Sequence, residues 1–244
     1  MAMPELVARR SIPPAPRRPA TPLTRLRLRR VAPLLALLVV AGGCAPARRA
    51  DLGRILTEGR HGWQHPERVV EALALGEGDR VAEIGAGDGY WLPFLSEAVG
   101  SSGRIYAVEV DDEKVAALEA RVAREQLGNV EVVRGRFEDP ELPDGSIDLA
   151  MTCLTYHHIE GQAAYFRRLH ADLAPGGRVA HLDDRHDVGP PLRWIMAGHW
   201  TDPAVIRAEM EDAGYRLEAS HDFLPVQSFQ VFEPAGDALA GSPP

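Results

Sequence analysis

Val81-Ala82-Glu83-Ile84-Gly85-Ala86-Gly87-Asp88-Gly89 passes from a short apolar run into three glycines at alternate positions. The run fits a buried strand from Arg80 to Ile84. The glycines let the backbone turn sharply and approach a ligand with no Cβ in the way. A dinucleotide fingerprint needs glycine at 85, 87 and 90, but residue 90 is Tyr, so a nicotinamide oxidoreductase is excluded. Glu83 and Asp88 would repel a pyrophosphate and suit a cationic ligand instead.

Outward from this loop the chain alternates helical and strand patterns. His65–Leu75, with Pro66 in its first turn, and Gly89–Val99 read as helices. Arg104–Val110 is a strand ending near Glu109, an acid placed to accept hydrogen bonds from ribose hydroxyls. Asp112–Leu127 is a helix with an apolar face, and Val130–Arg134 and Ile147–Thr152 are strands. Gly161–Leu173 is a helix, Pro175-Gly176-Gly177 a turn, Arg178–Leu182 a strand and Pro203–Ala213 a helix. Tyr215–His221 and Val226–Phe232 read as a closing strand pair. Alternation of this kind predicts an α/β fold, a Rossmann-like, mostly parallel sheet with helices on both faces.

Beyond the glycine loop, Gly135-Arg-Phe-Glu-Asp139, Leu142-Pro-Asp-Gly-Ser-Ile-Asp-Leu149 and Leu173-Ala-Pro-Gly-Gly-Arg178 complete a pattern. With it, residues 63–232 resemble the class I S-adenosylmethionine-dependent methyltransferases. The resemblance implies a seven-stranded sheet whose last strand is antiparallel, in keeping with the closing pair. It implies S-adenosyl-L-methionine as cofactor, with Glu83, Gly85, Gly87 and Gly89 around the methionine part and Glu109 on the ribose. Phe137 and Glu138 would flank the adenine. Arg136 is a departure, standing where the family often has an Asp on the adenine amine. After the fourth strand, Tyr156, His157 and His158 fall where the family places substrate-facing residues, and are the candidates for gating the methyl group or taking a proton. The expected activity is methyl transfer to a small-molecule acceptor. The alternative is a lipid-anchored protein that keeps the fold and binds a ligand without turnover.

Other features carry weaker signals. Trp63 and Gln64 either close over the methionine end or pack. His181, Asp183, Asp184, His186 and Asp187 read as a solvated loop at a strand exit rather than a metal site. Cys153 reads as a buried small hydrophobe. Trp194, His199 and Trp200 precede the last helix, where a lid or scaffold packing is expected.

The N-terminal part reads as an address. Residues 1–43 carry eight Arg against Glu5, a balance of +7, so the rest of the chain carries −15 within a total of −8. That acidic body excludes nucleic-acid binding by phosphate neutralisation. Arg25, Arg27, Arg29 and Arg30 precede the apolar run Val31–Val40 and then Ala41-Gly42-Gly43-Cys44. The layout is that of a secretory signal, and the small residues before Cys44 resemble a bacterial lipobox, with Ala41 where Leu is usual. Residues 1–44 are therefore expected to be a disordered leader and signal, 45–62 a tether, 63–233 the catalytic domain and 234–244 a flexible tail. Lipidation of Cys44 would anchor the protein to the membrane facing the periplasm; the alternative is a cytoplasmic protein.

Overall fold

A computed structural model describes residues 59–185 and 200–236. Its elements, in chain order, are α1 (Arg60–Gln64), α2 (Pro66–Leu73), β1 (Arg80–Ile84), α3 (Leu92–Val99), β2 (Arg104–Glu109), α4 (Asp112–Glu125), β3 (Val130–Arg134) and β4 (Ile147–Cys153). They continue with a 3₁₀ turn (Tyr156–His158), α5 (Gln162–Leu169), β5 (Leu173–Asp184), α6 (Pro203–Asp212), β6 (Tyr215–His221) and β7 (Gln227–Pro234).

The seven strands form one sheet in the order β3-β2-β1-β4-β5-β7-β6. β1 to β5 pair in parallel, and β7 runs antiparallel to both β5 and β6. This is the Rossmann-like sheet expected, with the last strand reversed. Apolar residues alternate between the sheet's two faces. Val81, Leu149 and Leu182 pack with α2, α3 and α4 through Val69, Leu95 and Leu118. Ala82, Ala150 and Val179 pack with α5 and α6 through Phe166 and Met210. Two buried faces require near-continuous apolar strands, and β1 and β4 meet that requirement.

Two expectations are corrected. Residues 60–62 are not tether but part of α1, which ends where His65 adopts a left-handed conformation (φ 45°) before Pro66 opens α2. The remaining tether and leader residues, Cys44 among them, lie outside the described residues. Pro175-Gly176-Gly177 is not a turn before the fifth strand but lies within it. The ladder with β4 shifts register between Ile147↔Leu173 and Leu149↔Arg178, so the extra residues loop out as a bulge while pairing continues on both sides. A Cβ on Gly177 would come within 2.5 Å of the Ile147 carbonyl, which requires glycine there.

Candidate active site

The strand order reverses between β1 and β4, and a cleft of about 810 Å³ opens there, beyond the carboxyl ends of β1, β2 and β4. Ligands of open α/β sheets bind at this switch point because helix and loop connections diverge to either side of it.

Its floor is the glycine loop. Gly85, Gly87 and Gly89 all have positive φ (76°, 57° and 73°), but they serve different purposes. A Cβ on Gly85 would strike the Thr155 side chain, and one on Gly89 would lie 2.9 Å from both Leu92 and Leu118. Those two glycines permit close packing, and Gly89 does not line the cleft, which corrects its assignment to the cofactor. A Cβ on Gly87 would meet no protein atom closer than the Gly85 carbonyl at 3.9 Å, so it would project into the cleft.

Glu109, at the end of β2, holds the loop in shape. Its Oε2 accepts from Gly87 N (3.0 Å), and its Oε1 from Val110 N (2.8 Å) and Asp111 N (3.2 Å). A carboxylate oxygen accepts two hydrogen bonds, so Oε2 keeps capacity for a ligand hydroxyl. Asp111 is committed elsewhere, capping α4 by accepting from Glu113 N and Lys114 N.

Glu83 is 3% exposed, and its Oε2 is buried with no hydrogen-bond partner among the described residues. Burial pushes its carboxyl up to about 8, against the opposing pull of Arg60. An orphaned buried acid beside an open cleft is what a cationic ligand group satisfies. The linkage has a definite sign. With the folded-state value raised, the native protein holds a proton that the unfolded chain releases, so stability falls as pH rises from about 4.5 to about 8. Glu83→Gln is expected to remove most of that slope and to raise the unfolding midpoint at pH 9 relative to the parent, as thermal scans across pH would register.

At the far side of the cleft, Phe137 lines the wall with 72% of its surface exposed, an open aromatic face for a base. Arg136 also lines it and pairs with Glu141 at 2.9 Å. Glu138 is exposed and does not line the cleft, contrary to its expected place beside the adenine.

The turn after β4 separates its three candidates. Tyr156 is fully buried, stacked on Phe166 at 5.5 Å, and its hydroxyl donates to Glu209 Oε2 at 2.6 Å. It belongs to the core on the α5–α6 face and is no methyl gate. His157 bonds Asp183 Oδ1 through Nδ1 at 2.9 Å, and this bond raises its affinity for a proton. His158 lines the cleft, with its ring 4.2 Å from that of His157.

Asp183 and Asp184 are not a solvated loop either; both are buried at the end of β5. Burial, then the neighbouring Asp183, pushes the Asp184 carboxyl up to about 7. His181 lies in the core, where burial lowers it to about 3 while Thr152 Oγ1 bonds its Nδ1 at 2.8 Å. Among the described residues no group of three or more His, Cys, Asp or Glu side chains is arranged to hold a metal. His186, Asp187, Trp194 and His199 lie outside the described residues. Cys153 is buried as expected, and burial pushes its thiol up to about 11. Gln64 is a packing residue that donates to Cys153 Sγ (3.0 Å) and Gln227 Oε1 (3.2 Å), while Trp63 is half-buried.

Sequence reasoning missed Arg60 and Thr155, which also line the cleft. Nothing in the pattern around residue 60 signals a helix, because five residues are too few to show a period.

Residues 81–177 match the methyltransferase-domain family. The chain is 34% identical over 111 residues to an uncharacterised 37.1 kDa protein of a Streptomyces fradiae transposon, covering 46% of this chain and 32% of that one. It is 25% identical over 117 residues to a demethylmenaquinone methyltransferase of Geobacillus kaustophilus, covering 48% and 50%. The chain thus spans half or less of the length of these relatives. Among solved structures, a SAM-dependent methyltransferase of Aquifex aeolicus superposes with a TM-score of 0.62 at 28% identity, over 68% of this chain and 88% of that one.

Proposed function

We propose that this protein is an S-adenosyl-L-methionine-dependent methyltransferase acting on a small-molecule acceptor. The observation that carries the reading is the single glycine, Gly87, whose missing side chain leaves room in the cleft rather than in the core. Around that space, the orphaned carboxyl of Glu83 suits an ammonium group, Glu109 Oε2 a ribose hydroxyl and Phe137 an adenine face. When bound, the cofactor supplies an electrophilic methyl group on sulfonium sulfur. The chain's own contribution is positioning and exclusion of water, which in favourable cases lowers a barrier by about 7–11 kcal/mol. His158 lines the cleft and is the group to receive a proton where the acceptor carries one, with His157, held by Asp183, packed against its ring. The family match and the cleft favour this over a binder without turnover. Calorimetry with S-adenosylhomocysteine tests the cofactor site, and methyl release with a panel of small acceptors tests turnover. Binding without any turnover across the panel would return the non-catalytic alternative to the lead.

We also propose that the protein is a lipoprotein anchored through Cys44, on the strength of the Arg-rich flank, the apolar run and Ala41-Gly42-Gly43-Cys44. No helix among the described residues is long and apolar enough to cross a membrane. Acyl chains contribute about 0.8 kcal/mol per buried methylene, and two chains hold a protein where one is marginal. Fractionated cells should show the wild type with membranes at processed size and Cys44→Ser unprocessed. A full-length, soluble wild type would refute the anchor.

A further inference from the structure

Buried side-chain oxygens without a hydrogen-bond donor gather where β5 and β7 run side by side. Asp183 is fully buried, and its Oδ1 accepts from His157 Nδ1 and from the Asp184 backbone N–H, each at 2.9 Å. Its Oδ2 has no partner among the described residues. Gln230, on β7, is 2% exposed, and its Oε1 is likewise unpaired. Across the ladder Asp183 pairs with Ser228 and His181 with Gln230. Cross-strand partners and alternate residues share a face, so Asp183 and Gln230 project from one side of the sheet as diagonal neighbours. Ser228 does not serve Oδ2, because its one hydroxyl proton goes to the Asp183 carbonyl at 3.2 Å.

This corner adjoins the cleft. His181 meets Tyr156 and Phe166 on the face that α5 covers, and Tyr165 of α5 lines the cleft from that face. From Asp183 the ring of His157 leads to His158, which is exposed and lines the cleft. An exposed side chain changes rotamer without repacking a core. The Arg and Lys side chains that line the cleft, Arg60, Lys114, Arg134 and Arg136, come from α1, α4, β3 and the loop after β3. None comes from the β4–β5 side. There burial and Asp183 push the Asp184 carboxyl up to about 7 against the opposing pull of His157.

We propose that the methyl acceptor carries a protonated amine, which enters beside His158 and seats against Asp183 Oδ2 and Gln230 Oε1. An ammonium brings three N–H donors to unpaired acceptors, whereas a hydroxyl brings one and a carboxylate only adds negative charge. This acceptor class rests on the methyltransferase reading given above.

Calorimetry of the full chain saturated with S-adenosylhomocysteine tests the class with three probes of one skeleton: 2-phenylethylamine, 2-phenylethanol and phenylacetate. The wild type should bind the amine about 10- to 100-fold more tightly than the other two, the range for a hydrogen bond to a charged group. Asp183→Asn keeps an oxygen for His157 and the Asp184 N–H but sets an NH₂ donor where Oδ2 stood. It should cancel the preference for the amine and leave phenylethanol unchanged. Gln230→Leu should also weaken the amine, and should raise the thermal midpoint without ligand because an unpaired buried acceptor is gone. Wild-type affinity for S-adenosylhomocysteine establishes that each variant is folded. In methyl-release assays, turnover should be confined to acceptors that carry an amine. Equal binding of the three probes, binding of none, a preference for the alcohol or the acid, an amine affinity unmoved in both variants, or turnover confined to amine-free acceptors overturns the amine site. Each of those results leaves the cofactor reading standing. A wild type that does not bind S-adenosylhomocysteine overturns the cofactor reading and the acceptor class together.

Discussion

Gly87→Val is expected to abolish S-adenosylmethionine and S-adenosylhomocysteine binding while the protein still folds cooperatively. The Gly87 backbone sits at φ 57° and a Cβ there would point into the cleft, so the valine methyls would occupy ligand space. A β-branched residue in this left-handed region also carries strain of about 1–3 kcal/mol. In a domain of this size each kcal/mol lowers the melting midpoint by about 2–4 °C, a modest loss compared with complete loss of binding. Gly85→Ala and Gly89→Ala make the contrast, because there the new methyl meets Thr155, or Leu92 and Leu118. Those variants should lose stability first and binding as a consequence. Calorimetry beside circular dichroism melts separates the two behaviours. Wild-type affinity in Gly87→Val would remove the glycine loop from the ligand site altogether.

Glu109→Ala should have the next largest effect, exceeding that of a single ribose contact. Its carboxylate accepts from three backbone N–H groups, including that of Gly87, so removing it leaves three donors without partners as well as the ligand hydroxyl. An unsatisfied buried donor costs about 1–3 kcal/mol, and water entering the gap recovers part of it. Cofactor affinity should therefore fall by about 1–3 kcal/mol through the lost ribose contact, and the unpaired donors should lower the melting midpoint even without ligand. Glu109→Gln keeps a carbonyl acceptor and should lose less. Asp111 cannot take over, because its side chain caps α4. Binding at wild-type strength in Glu109→Ala, measured by calorimetry, would place the ribose elsewhere.

The strand, the glycine loop and the acid at the end of β2 were legible because each is written in consecutive residues. An apolar run followed by alternate glycines has few conformations open to it, and the end of the next parallel strand must lie beside the loop. The closing strand pair was readable for the same reason, while its antiparallel place in a seven-stranded sheet came from the family resemblance alone. The turn after β4 was legible as a location but not in its directions. Tyr156, His157 and His158 form one turn of 3₁₀ helix, with three residues per turn, so successive side chains diverge by about 120°. One therefore enters the core toward Glu209, one meets Asp183 and one lines the cleft. Periodicity could not choose among them.

Sequence alone thus determined the α/β class, the position of the cleft and the acids at its floor, since these follow from local pattern and the handedness of strand–helix connections. Only the tertiary structure decided which side chains face that cleft. Gly89 and Glu138 left the site, because the first packs against helices and the second points to solvent. Arg60 entered it from 23 residues before Glu83, and Asp183 met His157 across 26 residues of chain. Contacts between separate elements depend on how the layers pack, and no spacing along the chain records that.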